Sequence, residues 1–126
     1  MAALRLLIVD DVDQVRQDLR MLLDLSGEVE VVGEAANGQE AIRQAESLQP
    51  EVILMDLEMP VLNGYEAARK IKTHHPACRI IALTVHDYPT ARQKAFQAGI
   101  DAFIIKGEPV DVMVKTILDK ERIQRK

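Results

Sequence analysis

Polar side chains stand at the ends of four short apolar runs in this sequence, where they would meet if the runs were neighbouring strands. Carboxylates that converge on one point repel one another unless a cation lies between them, and Mg²⁺ prefers carboxylate-rich oxygen ligands. A hydroxyl and an ammonium group are suited to bind the oxygens of a phosphoryl group. The sequence therefore predicts magnesium-dependent phosphoryl chemistry at five residues: Asp10, Asp11, Asp56, Thr84 and Lys106.

A carboxylate can itself be the nucleophile in such a site and form an aspartyl phosphate. Asp56 is the natural candidate, because it stands alone after the third run and would face the pair formed by Asp10 and Asp11. Each residue also has an ordinary structural interpretation, since such aspartates often cap helices, threonines occupy turns and lysines are solvated. Asp11 or Asp13 could cap the first helix. Five such residues at four strand ends nevertheless favour the chemical interpretation.

The apolar runs themselves have the length and the Val, Ile and Leu content of β-strands. Four are apolar throughout, which is typical of strands covered on both faces, whereas the second alternates with Glu28 and Glu30 and indicates an edge strand. The predicted strands span residues 6–9, 29–32, 52–55, 80–83 and 102–105.

Segments with helical periodicity follow the strands, and each is predicted to bury one apolar stripe. We expect the sequence to form a flavodoxin-like (βα)5 three-layer sandwich, with a five-stranded parallel sheet of strand order 2-1-3-4-5. The stripe of the first helix comprises Val15, Leu19, Leu22 and Leu23, and that of the last comprises Val110, Met113, Val114, Ile117 and Leu118. The predicted end signals are Asn37 with Glu40, Asn63 with Glu66, Pro109 early in the last helix, and Gly99 in a left-handed conformation after the fourth.

Composition excludes several other classes of protein. The 126 residues have room for one domain, and 48% hydrophobic with 29% charged residues is the balance of a globular protein, which we interpret as cytoplasmic and without a membrane span. The net charge of −4 disfavours direct nucleic-acid contact. A basic tail at 120–126 is interpreted as a solvated helix end or the start of a linker. The single Cys78 predicts neither a disulfide nor a zinc site.

Taken together, these residues resemble the receiver domain of two-component response regulators, over nearly the whole chain. Residues 31–35 and 83–86 look closest to the NarL/FixJ branch, which commonly carries a C-terminal helix-turn-helix domain. We therefore expect 1–126 to be a single receiver domain, either one whose output domain lies outside this sequence or a stand-alone receiver. The resemblance rests on the segments 9–11, 55–60, 63–64, 83–84 and 104–106.

The resemblance implies a role for each site residue. It makes Asp56 the phosphoacceptor and a Mg²⁺ ligand, with Asp11 a direct ligand, Asp10 a ligand through water, and Glu58 a ligand through its backbone carbonyl. It also implies that Thr84 and Lys106 bind phosphoryl oxygens. Phe103 falls where the family has an aromatic ring that turns inward on activation, so Thr84 and Phe103 would form the switch, with Phe103 moving from an exposed rotamer. Glu58 and His86 flank the site and could tune hydrolysis of the aspartyl phosphate.

The implied function is a signalling switch and not an enzyme acting on other substrates. A sensor histidine kinase would donate the phosphoryl group, and the altered surface would support a phosphorylation-dependent homodimer and transcriptional control through the absent domain. Two alternatives remain open at this stage. A phosphohydrolase could use Glu58 as general acid, although the chain is too short for a substrate-closing cap. A flavin protein is disfavoured by the 3% aromatic content and the absence of tryptophan.

Overall fold

Strands and helices alternate along the whole of the chain that the computed structural model describes, residues 3–85 and 88–119. The predicted helix-forming and strand-forming segments are all present, and most strands extend one to three residues beyond the apolar runs. The elements are β1 (Leu4–Val9), α1 (Asp13–Ser26), β2 (Val29–Ala35), α2 (Gly38–Leu48), β3 (Val52–Asp56), α3 (Gly64–His74), β4 (Arg79–Thr84), α4 (Pro89–Gln97), β5 (Ala102–Ile105) and α5 (Val110–Leu118).

The five strands form one parallel sheet in the predicted order β2-β1-β3-β4-β5. The second strand lies at an edge, as its alternation with glutamates indicated. The fifth strand forms the other edge of the sheet, yet it is apolar throughout. Its sequence is apolar because Ala102, Phe103 and Ile104 are all buried. A strand covered by helices on both faces reads as a continuous apolar run wherever it lies in the sheet.

Successive side chains of each strand point to opposite faces, and both faces carry a core. On one face, residues such as Leu7, Ile53 and Ile80 pack under α2, α3 and α4. On the other face, residues such as Leu6 and Leu54 pack under α1 and α5. A fully buried side chain of this size contributes about 1.5–3 kcal/mol to stability. The architecture is therefore the predicted three-layer sandwich.

Two predicted capping interactions position the loops near the carboxyl edge of the sheet. Asn37 precedes α2 and its side chain accepts a hydrogen bond from the Glu40 amide at 2.9 Å. Asn63 does the same for α3, with the Glu66 amide at 3.0 Å. The loop between β3 and α3 therefore enters its helix at a fixed point.

Of the other predicted helix boundaries, the one at Gly99 is as expected, whereas the starts of α5 and α1 differ in detail. Gly99 has φ +96°, which confirms the predicted left-handed turn after α4. Pro109 stands one residue before α5 and not inside it. Neither Asp11 nor Asp13 caps α1, because Val12 occupies the N-cap position and the Val12 amide donates to Asp10 Oδ1.

The apolar stripes of α1 and α5 are narrower than predicted. Leu22 and Val110 were expected in the core, but they are 39% and 36% exposed. The sheet covers only an arc of each helix, so residues at the margin of the stripe remain in contact with solvent. They line an apolar groove of about 520 Å³ between α1 and α5.

The C-terminal turn of α5 is held by an arginine from the sheet. Arg79, the first residue of β4, donates to the carbonyl oxygens of Ile117 at 2.6 Å, Asp119 at 2.9 Å and Thr116 at 3.1 Å. The last carbonyls of a helix have no partner within the helix, so this side chain supplies one for them. Burial lowers the pKa of the Arg79 guanidinium, which still remains charged at any working pH.

Candidate functional site

Three carboxylates converge at the carboxyl edge of the sheet, as the sequence predicted. Val9 pairs with Met55 in the register of β1 and β3, so the residues that follow, Asp10 and Asp56, emerge side by side. Oxygen atoms of Asp10, Asp11 and Asp56 all lie within 4.8 Å of one another. Asp10 and Asp56 are buried and Asp11 is exposed. The cluster is therefore shielded from solvent at Asp10 and Asp56 and open to water at Asp11.

Lys106 brings a positive charge to the same cluster. Its Nζ atom lies 3.3 Å from Asp10 Oδ2 and 3.8 Å from Asp56 Oδ2. The ammonium partly offsets the mutual repulsion of the carboxylates. It also lies where it could contact the oxygens of a group attached to Asp56.

One oxygen of the cluster is left without a hydrogen bond. Asp10 Oδ2 is fully buried, and no donor within residues 3–85 and 88–119 meets hydrogen-bond geometry with it, Lys106 being near but misaligned. A buried acceptor without a donor is unfavourable unless something else satisfies it. Oxygen ligands of high negative charge are those that Mg²⁺ takes, so the residues fit this ion.

Burial raises the pKa of the Asp56 carboxyl from 3.8 to about 6. The hydrogen bond from the Glu58 amide, at 3.1 Å to Oδ1, and the charge of Lys106 oppose this rise. The neighbouring charges of Asp10 and Asp11 add to it. Asp56 is therefore ionised at neutral pH, but its charged form is destabilised by burial and by the neighbouring carboxylates. The approach of a cation is favourable for this reason.

Thr84 ends β4 beside the carboxylate cluster and is buried. Its backbone carbonyl accepts a hydrogen bond from the Lys106 amide at 2.9 Å, which joins the loops that follow β4 and β5. Thr84 pairs with Ile105 in the sheet, and Phe103 lies two residues before Ile105 on β5, so its side chain is on the same face as that of Thr84.

The Phe103 ring is buried in this structure, with 4% of the residue exposed. It makes an edge-to-face contact with Phe96 at a centroid distance of 5.4 Å, and the guanidinium of Arg92 lies 4.7 Å from its centroid. The exposed rotamer expected from the sequence is therefore not the conformation found here. Arg92 and Phe96 of α4 cover the ring from outside.

The remaining predicted residues are placed less completely. The Glu58 side chain is exposed, beside a pocket of about 590 Å³ between the loop after β3 and α4. His86 and the basic tail at 120–126 lie outside the described residues.

Two glycines let the loops approach the site closely. A Cβ atom on Gly64 would clash with the carbonyl oxygen of Asp56 and lie 2.8 Å from the Leu57 Cα atom. A Cβ atom on Gly38 would clash with the carbonyl oxygen of Leu62, which accepts a hydrogen bond from the Gly38 amide at 3.0 Å. The start of α3 is thus packed directly against the residue predicted to react.

Sequence reasoning missed one group of residues at the site. Arg16 of α1 donates to the backbone carbonyl of Asp10 at 2.6 Å and to Glu34 of β2 at 3.1 Å, and Arg20 also binds Glu34. The available signal was a pair of arginines four residues apart, which places them on one helical face. Surface arginines are so often solvated that the pair alone did not indicate a role.

The model of the response regulator receiver domain family matches residues 6–118, and the chain belongs to this family. Response regulator GacA from Pseudomonas viridiflava is 40% identical over 115 residues, 90% of this chain and 53% of the relative. Transcriptional regulatory protein LnrK from Bacillus subtilis is 35% identical over 115 residues, 91% of this chain and 52% of LnrK. The solved signal receiver domain of the response regulator NarL from Mycobacterium tuberculosis superposes with a TM-score of 0.92 at 31% identity, over 97% of this chain and 100% of that domain.

The chain spans about half the length of the curated relatives it matches. Receiver domains of response regulators are phosphorylated by sensor histidine kinases, and they are generally not classical enzymes. They typically bind Mg²⁺ at an acidic pocket. The NarL-type similarity agrees with the branch expected from the sequence. Within the described residues, no helix combines the length and the apolar character needed to cross a membrane.

Proposed function

We propose that this chain is the phosphoacceptor of a two-component pathway, in which Asp56 takes a phosphoryl group from the phosphohistidine of a sensor kinase. The observation that carries the proposal is the convergence of Asp10, Asp11 and Asp56, with Lys106 beside them, at one edge of the sheet. Three carboxylates without a cation repel one another. Lys106 offsets this repulsion only in part, so the arrangement favours the binding of a further cation.

In the reaction, a carboxylate oxygen of Asp56 attacks the phosphorus atom of the phosphohistidine. The new O–P bond forms as the N–P bond breaks, and the imidazole leaves with the bonding electrons and takes up a proton. Hydrolysis reverses the modification. Water attacks the phosphorus atom, the O–P bond to Asp56 breaks, and inorganic phosphate and the free carboxylate are released. Glu58 and His86 are proposed to tune how readily water attacks.

Asp11 and Asp56, Asp10 through water, and the backbone carbonyl of Glu58 are proposed to hold Mg²⁺. When bound, the ion would neutralise charge on the phosphoryl oxygens and relieve their repulsion by the carboxylates. Lys106 and the Thr84 hydroxyl would bind the remaining phosphoryl oxygens.

The output is proposed to be transcriptional control. The longer relatives include a transcriptional regulatory protein and the nitrate/nitrite response regulator protein NarL, which supports a DNA-binding domain elsewhere in the full-length protein. Thr84 and Phe103 would transmit the state of Asp56 to the surface, and a phosphorylation-dependent homodimer would be one consequence. No contact between the described residues and nucleic acid is proposed, and we place the protein in the cytoplasm with its kinase.

The direct test is labelling with acetyl phosphate, whose acetate leaves as the O–P bond forms. We expect one phosphoryl group per chain, only in the presence of Mg²⁺, and none in Asp56→Asn. Asp11→Ala should require a much higher Mg²⁺ concentration, because it removes a proposed ligand. Full labelling of Asp56→Asn, or multiple turnovers of a simple phosphomonoester by the wild-type protein, would contradict the proposal.

A further inference from the structure

Arg16 is bound to the backbone of the acidic cluster rather than to its carboxylates. Its Nη1 atom donates to the Asp10 carbonyl oxygen at 2.6 Å, and its side chain is only 13% exposed. The other contacts of the guanidinium are to Asp13, at the start of α1, and to Glu34, near the end of β2. Arg16 therefore ties the turn after β1 to the neighbouring helix and strand.

The consequence for Asp10 is that three of its four polar atoms are already engaged. Its amide donates to the Ala35 carbonyl at 3.0 Å, its carbonyl accepts from Arg16, and its Oδ1 accepts from the Val12 amide at 2.9 Å. Within the described part of the chain, only Oδ2 is left without a hydrogen bond, and this atom belongs to the acidic cluster. The bonds thus fix which oxygen is presented to a cation.

Glu34 fixes the direction of the guanidinium. Its Oε1 atom accepts from Arg16 at 3.1 Å, and its Oε2 atom accepts from Arg20 at 2.7 Å. The charge of Arg16 is offset by Glu34 and Asp13, so the field it projects onto the metal ligands is reduced. Its effect on the site is therefore expected to be geometric, through the hydrogen bond to the Asp10 carbonyl.

We propose that Arg16 is a positioning residue for the cation site, holding the turn at Asp10 and Asp11 in the geometry that binds Mg²⁺. This inference rests on the function proposed above. Residues that orient metal ligands without touching the metal typically change metal affinity about 10–100-fold when replaced.

The chain offers a matched control, because Arg16 and Arg20 both bind Glu34 but only Arg16 reaches the Asp10 carbonyl. Mg²⁺ titrations followed by amide chemical shifts should show Arg16→Met binding about 10–100-fold more weakly than wild type. Arg20→Met should stay within roughly threefold of wild type, since it removes a partly exposed ion pair and a long hydrogen bond to the Val31 carbonyl, and no contact with Asp10. Labelling by acetyl phosphate should slow in Arg16→Met at low Mg²⁺ and recover at saturating Mg²⁺.

A second variant and a metal-free measurement separate geometry from charge and from misfolding. Arg16→Lys keeps the positive charge, but a lysine cannot bind the Asp10 carbonyl and Glu34 with the geometry of a guanidinium. The Mg²⁺ affinity of this variant should therefore also fall. In metal-free protein, the Val12 amide should exchange with solvent faster in both Arg16 variants than in Arg20→Met.

Each alternative result has a distinct meaning. Unchanged or tighter Mg²⁺ binding in Arg16→Met would overturn the inference, tighter binding because the guanidinium would then act as a repelling charge. Equal losses in Arg16→Met and Arg20→Met would overturn it too, since the effect would belong to Glu34. If wild-type protein bound no Mg²⁺ and accepted no phosphoryl group, the proposed function itself would fail.

Discussion

Asp56 is held in a state that favours reaction over stability. It is buried next to two carboxylates, and burial is the main reason that its pKa is raised to about 6. Charge–charge repulsion in this desolvated site is relieved when a cation binds. The residue that destabilises the metal-free fold is thus the one proposed to do the chemistry.

This electrostatic cost predicts a pH-dependent stability difference. The folded-state pKa of Asp56 lies above the unfolded value, so the native state is penalised for its charge above about pH 6 and not below about pH 4. In EDTA at pH 7.5, Asp56→Asn should raise the free energy of unfolding by about 1–3 kcal/mol, and the gain should fall to roughly a third of that value at pH 4.5. Urea denaturation of both proteins at both pH values measures it.

The exposed Asp24 provides the control for this experiment. Asp24→Asn should change the free energy of unfolding by less than about 0.5 kcal/mol at either pH. A pH-independent gain in Asp56→Asn would show that packing, and not the charge of Asp56, is responsible.

At the scale of elements, the close approach of α3 to β3 explains how a loop holds a reactive residue in place. Gly64 begins α3 against the backbone of Asp56 and Leu57, and its amide donates to the Leu57 carbonyl at 3.1 Å. A side chain at this position has nowhere to go except by displacing β3 or the helix.

Gly64→Ala should therefore damage both the fold and the site. We expect a loss of about 1–3 kcal/mol in the free energy of unfolding and slower labelling of Asp56. Gly27→Ala is the matched control: Gly27 has φ +74° with open space around it, so alanine there adds backbone strain of about 1 kcal/mol far from Asp56. Labelling of Gly27→Ala at the wild-type rate, with a slow Gly64→Ala, would confirm a local effect.

The features predictable from sequence were those encoded by local rules. The caps at Asn37 and Asn63 could be predicted because they depend on hydrogen bonds between residues close in the sequence. The strands could be predicted from their continuous or alternating apolar residues, and the helices from apolar residues that recur about every 3.6 positions. The exposure of Leu22 could not be predicted from the sequence, because the width of the buried stripe of α1 depends on how that helix packs against the sheet. The bond from Arg16 to Asp10 depends on the angle at which α1 leaves β1, which no residue pattern states.

At the scale of the whole molecule, the site and the α4 surface are connected through neighbouring strands. Thr84 lies at the end of β4, and Phe103 of β5 packs under Arg92 and Phe96 of α4. A phosphoryl group on Asp56 would attract the Thr84 hydroxyl into a charge-assisted hydrogen bond. Any movement of Thr84 would then change the packing of the side chains on its face of the sheet.

Thr84→Ala should therefore separate phosphorylation from the response to it. The variant should still accept a phosphoryl group at Asp56, but beryllofluoride should no longer produce the wild-type amide chemical-shift changes around Phe103 and α4. Thr73→Ala is the control, because the Thr73 hydroxyl donates to the Arg69 carbonyl on the exposed face of α3. Wild-type shift changes in Thr84→Ala would show that the signal leaves through Lys106 or the loop after Asp56.

The strand β4 joins two tasks that must keep a fixed spacing. The side chain of Arg79, its first residue, binds the end of α5 on one face of the sheet. The side chain of Thr84, its last residue, points to the other face, at the edge of the sheet where Asp56 lies. Inserting or deleting one residue between them would reverse the facing of one relative to the other. Homologous genes are therefore expected to vary in length in the connecting loops, while a codon gained or lost within 79–84 is selected against even where hydrophobic character is retained.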